Sequence, residues 1–374
     1  MRKNVALLVV LVFLATSCLT VCLPVKAESK TITVPDDSPT IQEAINAAKA
    51  GDTIFVKRGS YVENPVVNKS VSLVGEDRDA TVIDVTAGLK VESDNVTITG
   101  LTIYDGWQGI TVSANNSKIS GNKITNTQYG IVLLHSQNSI VTENILQSIG
   151  LSAAIQLSYS NHNLLKNNYV DSCTEGIQLR EGSSNNIVEE NIVTNCQDVA
   201  VRLLGSGVGR VWYGPNNNTI TQNTISSSGC GTTVYGANGN TISNNNYLNN
   251  TVQFSANEDY YLIWGGSRSI NTIDRNYWSD YNGTDANRDG IGDTPYIIDP
   301  YNQDNNPIML PISLAALTLT PTPSPPIFGP TSSPTPSPSI PELQSWTIPL
   351  LLTIIVATAG LSVYFKKRKL EVKS

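Results

Sequence analysis

Between about Asn95 and Trp278 one short phrase keeps returning: ITGLTI, ISGNKI, VTENIL, LKNNYV, VEENIV, ITQNTI, ISNNNY and IDRNYW. Its fourth position is Leu101 in the first copy. In every later copy it is asparagine, at Asn122, Asn144, Asn168, Asn191, Asn223, Asn245 and Asn276. Successive asparagines are 22, 24, 23, 32, 22 and 31 residues apart, so a unit of about two dozen residues recurs, with two copies lengthened by inserts. A period of that length builds a solenoid, because one unit alone cannot cover its own apolar side chains and stacked units can.

A second phrase follows the earlier copies: GITV from Gly109, GIVL from Gly130, AIQL from Ala154, GIQL from Gly176 and AVRL from Ala200. Both phrases alternate apolar and polar residues, the period of a strand with one face buried, and no 3.6-residue apolar stripe lies between them. Each coil therefore reads as strand, turn, strand, turn, paired in parallel with the next coil about 4.8 Å along the axis. The recurring asparagine suits a bend. It tolerates left-handed backbone, and stacked amides satisfy donors and acceptors that burial would leave unpaired. The expected class is all-β, a single-stranded right-handed parallel β-helix with an N-terminal capping helix and one C-terminal transmembrane helix. The repeats resemble those of the pectate-lyase-like superfamily over residues 31–311, which implies the fold and leaves the activity open.

Residues 1–27 carry Arg2 and Lys3, an apolar run from Val5 to Leu23 and a terminal Ala27, the parts of a secretory signal peptide; a lipid-modified Cys18 or Cys22 is the alternative. Residues 28–60 read as the N-terminal cap, where Thr40 and Glu43 form a capping box, Ile41, Ala44, Ile45 and Ala48 make an apolar helical stripe, and Gly51 stops the helix. This opening resembles the cap of many pectate-lyase-like proteins. Residues 61–311 hold the repeats and an Asp-rich loop at 280–299. The segment 312–345 is a Pro/Thr/Ser-rich stalk, and 346–365 is apolar and long enough to span a bilayer. Residues 366–374 begin with Lys366-Lys367-Arg368-Lys369, a basic cytoplasmic tail by the positive-inside rule, which puts the β-helix on the extracellular face of the membrane. Pro341-Glu342-Leu343 resembles the Pro-Glu-Phe sorting signals of archaeal surface proteins. Sequons at Asn68, Asn95, Asn115, Asn217, Asn249 and Asn282 suit a glycosylated exterior.

The net charge of -7, with no basic cluster in the repeats, argues against a nucleic-acid partner. Cys173 and Cys196 each follow a ladder asparagine by five residues and should stack, either as a disulfide or as two buried thiols, leaving Cys230 unpaired. NYWSDY followed by DGIGDTPY resembles the terminal signature of NosD-type β-helix proteins, often described as periplasmic copper-binding. Copper needs clustered His, Met or Cys, and the chain has two His and two Met, with Met1 in the leader, so copper is not expected here.

Asp285, Asn287, Asp289, the Ile291 carbonyl and Asp293 have the alternate spacing of a calcium loop, with Gly290 at the sixth position; Tyr296 stands where an EF-hand has its bidentate Glu. The spacing also resembles thrombospondin type-3 calcium repeats, which implies a weak calcium site. Arg210, Trp212 and Tyr213 on the first insert are candidates for stacking on a sugar.

Aligning the second phrase gives an outward column of Thr111, Val132, Gln156, Gln178 and Arg202, flanked by Glu175, Asp198, Arg180 and Glu181. Glu175, Asp198, Arg180 and Arg202 are the catalytic candidates, read either as a lyase-like site or as a self-neutralising network. The expected function is a surface-anchored module binding carbohydrate or an envelope component such as a surface layer. A polysaccharide lyase or hydrolase is the alternative, and an accessory role in copper-enzyme maturation is a third reading.

Overall fold

The computed structural model describes residues 29–208, 211–256 and 269–313, with Val208, Val211 and Trp212 as backbone only. Among these residues there are one helix, α1 (Ile41–Ala47), three parallel sheets of eleven, ten and nine strands, and two short antiparallel hairpins. Each coil visits the three sheets in turn, giving a parallel β-solenoid of about ten turns. The expected leader, the stalk beyond residue 313, the apolar span 346–365 and the basic tail lie outside the described residues. Within those residues no helix is long and apolar enough to cross a membrane.

The coil has three strands where the sequence suggested two. ISGNKI divides into Lys118–Ser120 and Lys123–Thr125 because the chain bends just before Asn122, at Gly121 with φ +64°. The same slot is left-handed in later coils, at Glu143, Asn167, Glu190, Gln222, Asn244 and Arg275. Each non-glycine residue there costs about 1 kcal/mol. What offsets the cost is the side chain that follows.

From Asn122 to Asn245 each ladder asparagine donates its backbone N–H and its Nδ2 to the Oδ1 of the asparagine one coil on, for example Asn144 to Asn168 at 3.1 Å each. Nδ2 also donates to a carbonyl of the coil behind, as Asn144 does to Ile119. All seven asparagines are fully buried. A second ladder stands five residues earlier in each coil: Ser117, Ser139, Asn163, Asn186, Asn218, Asn240 and Asn271, joined by the same bonds at the asparagine steps. Between the ladders, Ile, Val and Leu from all three sheets fill one continuous core.

Both ends of the stack are closed. At the N-terminus α1 buries Ile41, Ala44 and Ile45, with the Thr40 side chain accepting from the Glu43 amide and the Glu63 carboxylate accepting from the amides of Ile41 and Gln42. The helix stops at Ala47, with Ala48 already extended, so Gly51 is a turn residue and not the stop. At the C-terminus Tyr247, Trp278 and Tyr296 stack with centroids 4.4 and 4.3 Å apart. The fully buried Asp304 carboxylate takes the donors of the last ladder residue, Asn276 N at 2.8 Å and Nδ2 at 3.2 Å, together with Trp278 Nε1 at 3.1 Å. The NYWSDY segment thus supplies the lid of the solenoid: Tyr281 donates to the Thr294 carbonyl at 2.6 Å, and Tyr296 donates to Asp280 at 3.2 Å.

Candidate functional site

The nine-stranded sheet has the longest strands, reaching six residues at Tyr129–Leu134, Ala153–Ser158, Glu175–Arg180, Val199–Leu204 and Cys230–Tyr235. Their register carries the outward column read from sequence, with Thr111, Val132, Gln156, Gln178 and Arg202 paired in successive coils and continued by Thr233 and Ser255. Apart from Val132 the column is polar yet sunk in its neighbours, with Gln178 and Thr233 each only 4% exposed.

The four charged candidates separate into two groups. Arg202 Nη2 lies 3.4 Å from Glu175 and 2.5 Å from Asp198, binding both carboxylates at once. Arg180 pairs with Glu181 at 2.7 Å and acts on Glu175 through its charge alone. Its adjacent carboxylate is simply nearer. Gln178 Nε2 donates to Glu175 at 2.8 Å. Burial raises the pKa of Glu175 above the usual carboxylate value, and the Arg202 charge opposes that rise.

Several polar atoms on this face are buried without a partner. Gln156 Oε1, Gln178 Oε1, Arg180 Nε, Arg202 Nε and Thr233 Oγ1 belong to it, and only Arg78 Nε and Thr127 Oγ1 share that condition elsewhere among the described residues. An unmet buried polar atom costs about 1–3 kcal/mol. Five of the seven lie on this one face.

The first insert is a hairpin, Ser206–Val208 with Val211–Tyr213, that rises from the end of strand Val199–Leu204. It leaves and rejoins the coil at Gly205 and Gly214, where a β-carbon would lie 2.5 and 2.3 Å from the Gly236 carbonyl oxygen. Tyr213 is exposed and stands against Gly182, two residues beyond Arg180. Trp212 pairs with Gly207 through the backbone, and Arg210 lies outside the described residues. Along the same edge His135 stacks on Tyr159, with centroids 5.0 Å apart.

Cys173 and Cys196 sit at matching positions in adjacent coils, as the spacing suggested, and are free buried thiols; Cys230 is free as well. Burial pushes Cys173 and Cys230 up to about 11 and raises Cys196 further.

In the Asp-rich loop the side chains bond the loop's own backbone. Asp285 accepts from the amides of Asp289 and Gly290, Asp289 from that of Ile291, and Asp293 from that of Ala286. Asn287 Nδ2 donates to Asp289. Asp285, Asp289 and Asp293 do not converge, and among the described residues no three His, Cys, Asp or Glu do. Of the sequon asparagines, Asn68, Asn95, Asn217, Asn249 and Asn282 are exposed, whereas Asn115 is half-buried and accepts from the Gln137 amide.

The sequence model of the family described as periplasmic copper-binding protein (NosD) matches residues 45–283. The chain belongs to the NosD family. In this NosD-family chain His135 stacks on Tyr159, while the buried Cys173 and Cys196 and the half-buried Cys230 lie at the opposite ends of the long strands. No curated protein matches it. Solved structures resembling this NosD-family solenoid include the A-modules of the Azotobacter vinelandii mannuronan C-5 epimerases AlgE6 and AlgE4. They are 17% and 16% identical, cover 63% and 67% of this chain and 81% and 88% of their own, and both have a TM-score of 0.48. An alginate lyase from Paenibacillus sp. is 15% identical over 65% of this chain and 95% of its own, with a TM-score of 0.42.

Proposed function

We propose that this NosD-family chain is an exported, membrane-anchored module that binds polysaccharide on the outer face of its nine-stranded sheet. The observation that carries this reading is the row of unpartnered, buried polar atoms on Gln156, Gln178, Arg202 and Thr233, one per coil in four successive coils, with Arg180 beside it. A long ligand with hydrogen-bonding groups at regular intervals suits a row whose spacing is the 4.8 Å rise of the coil.

Catalysis is the weaker reading. Arg202 holds both candidate carboxylates, so neither is free to act as a base or nucleophile without first giving up an ion pair. An accessory role in copper-enzyme maturation is the third reading; the family's description names copper binding alone.

The test is to screen the purified full-length protein in detergent against immobilised glycans and to assay soluble polysaccharides for new reducing ends or unsaturated products. Retention without turnover, weakened by Gln178→Ala and by Arg202→Ala, is the expected result. Retention of no glycan sinks the proposal, and turnover abolished by Glu175→Gln replaces it with an enzyme.

A further inference from the structure

Trp107 precedes the strand Gln108–Val112 and is 54% exposed, an unusual position for an indole unless something covers it. Its ring lies 5.8 Å from that of Tyr129 on the next coil, with planes inclined by 54°. The two form an aromatic corner at the N-terminal edge of the nine-stranded sheet, across the strands from Tyr159 and Tyr213. Tyr129 also begins a column that runs through Ala153 to Glu175, as the pairing of Ile131 with Ile155 and of Ala153 with Glu175 requires. Beside that column run Val132, Gln156, Gln178, Arg202 and Thr233. From Trp107 to Thr233 is five coil steps, about 24 Å.

The chemistry of the unpartnered atoms narrows what lies there. Gln156 Oε1 and Gln178 Oε1 need donors, Arg180 Nε and Arg202 Nε need acceptors, and Thr233 Oγ1 takes either. A hydroxyl donates and accepts and serves all five, and since neutral and acidic sugars both carry hydroxyls, the charge of the face decides between them. Between Tyr129 and Thr233 the face carries Glu175, Glu181 and Asp198 against Arg180 and Arg202, and both guanidinium groups are already ion-paired. An acidic sugar would meet three carboxylates and no uncommitted cation.

We propose that the ligand is a neutral, hydroxyl-rich polysaccharide lying along the solenoid axis, with one sugar stacked on the Trp107–Tyr129 corner and its neighbours bonded to the Gln156–Thr233 row. This rests on the polysaccharide-binding reading and adds the substrate class and the stacking subsite. Aromatic faces stack on the C–H faces of uncharged pyranose rings, and a ring pair of this kind contributes on the order of a tenfold gain in affinity.

The test uses the full-length protein in detergent with two sets of probes: hexaoses of neutral glucans and mannans, and hexamers of mannuronate and galacturonate. Calorimetry should give binding to at least one neutral hexaose and none to the acidic hexamers. Trp107→Ala should weaken binding about tenfold and Trp107→Phe should restore most of it. Because Trp107 is on the surface, both variants should keep the parent's melting temperature. Binding of the acidic hexamers alone, or a neutral hexaose bound equally by wild type and Trp107→Ala, overturns the inference. If that bound hexaose is still lost with Gln178→Ala, the binding face stands and only the stacking subsite and substrate class fall. If neither probe set nor any immobilised glycan binds, both readings fall together.

Discussion

Two columns of polar side chains run along this solenoid, one inside and one outside, and they obey opposite rules. Inside, each asparagine from Asn122 to Asn276 gives both its donors to an oxygen of the next turn, and its own oxygen is taken by the turn before. Outside, Gln156 and Gln178 occupy the same kind of register but do not bond each other. Gln156 Nε2 turns to Ser158 and Gln178 Nε2 turns to Glu175, which leaves both carbonyl oxygens open. Identical spacing and similar amides thus give a saturated interior and an unsaturated exterior. A stack that only has to hold itself together pairs its amides; the open oxygens of the outer row are where the proposed ligand would bond.

The contrast is sharpest in what substitutions should do. Asp304→Ala strips the acceptor from Asn276, Trp278 and the Arg275 and Asn306 amides at the end of the inner column. It should cost about 4 kcal/mol, read as a large fall in the denaturation midpoint. Asn168→Ala interrupts the middle of the column, leaving the Asn144 donors and the Val141 carbonyl short of partners, and should cost about 3 kcal/mol in the same measurement. A change below 1 kcal/mol at either site would erase the distinction between the two columns.

Glu175 gives a pH-dependent effect on the outer side. Burial raises its folded-state pKa, so the fold favours the protonated acid. Its contribution to stability is therefore lost as pH rises from near 4.5 through the raised value. The melting temperature of Glu175→Gln relative to wild type should move in the variant's favour between pH 4 and pH 7. A constant difference would mean that burial does not dominate at this site. The smallest effect belongs to Thr233→Val, which deletes a buried hydroxyl that has no partner and keeps the shape. It should leave stability unchanged or raise it by up to about 1 kcal/mol while weakening the ligand. The same polar deletion inside the ladder destabilises, and that opposition of sign is the test of the comparison.

Much of this was legible in the chain itself. The asparagine slot, the capping box at Thr40 and Glu43, and the outward column from Thr111 to Arg202 all follow from periods that register converts directly into contacts. What escaped reading was held by partners without a period. The second ladder begins with Ser117 and Ser139 before becoming asparagine, so no single residue type marks its slot. Asp304 caps Asn276 from 28 residues away through a hairpin that no repeat announces. Trp107 occurs once, and its significance depends on Tyr129 being one turn away. Alignment puts Arg180 in the coil of Glu175 but does not show that its ion pair is with Glu181. The Asp-rich loop kept its spacing, yet its carboxylates turn to nearby amides, a local competition that alternate positions alone do not reveal.

Along the asparagine ladder each turn gives its backbone N–H and an Nδ2 hydrogen to its successor and a second Nδ2 hydrogen to its predecessor, so this set of bonds repeats at each interior asparagine step. Only the final turn faces a different demand, and a single carboxylate meets it. A whole turn added where both ladders are asparagine would leave the lid, the helix at the other end and the ladder bonds of the remaining turns chemically unaltered. Length in such a molecule is adjustable in steps of one winding, with the terminus serving as a reusable stopper.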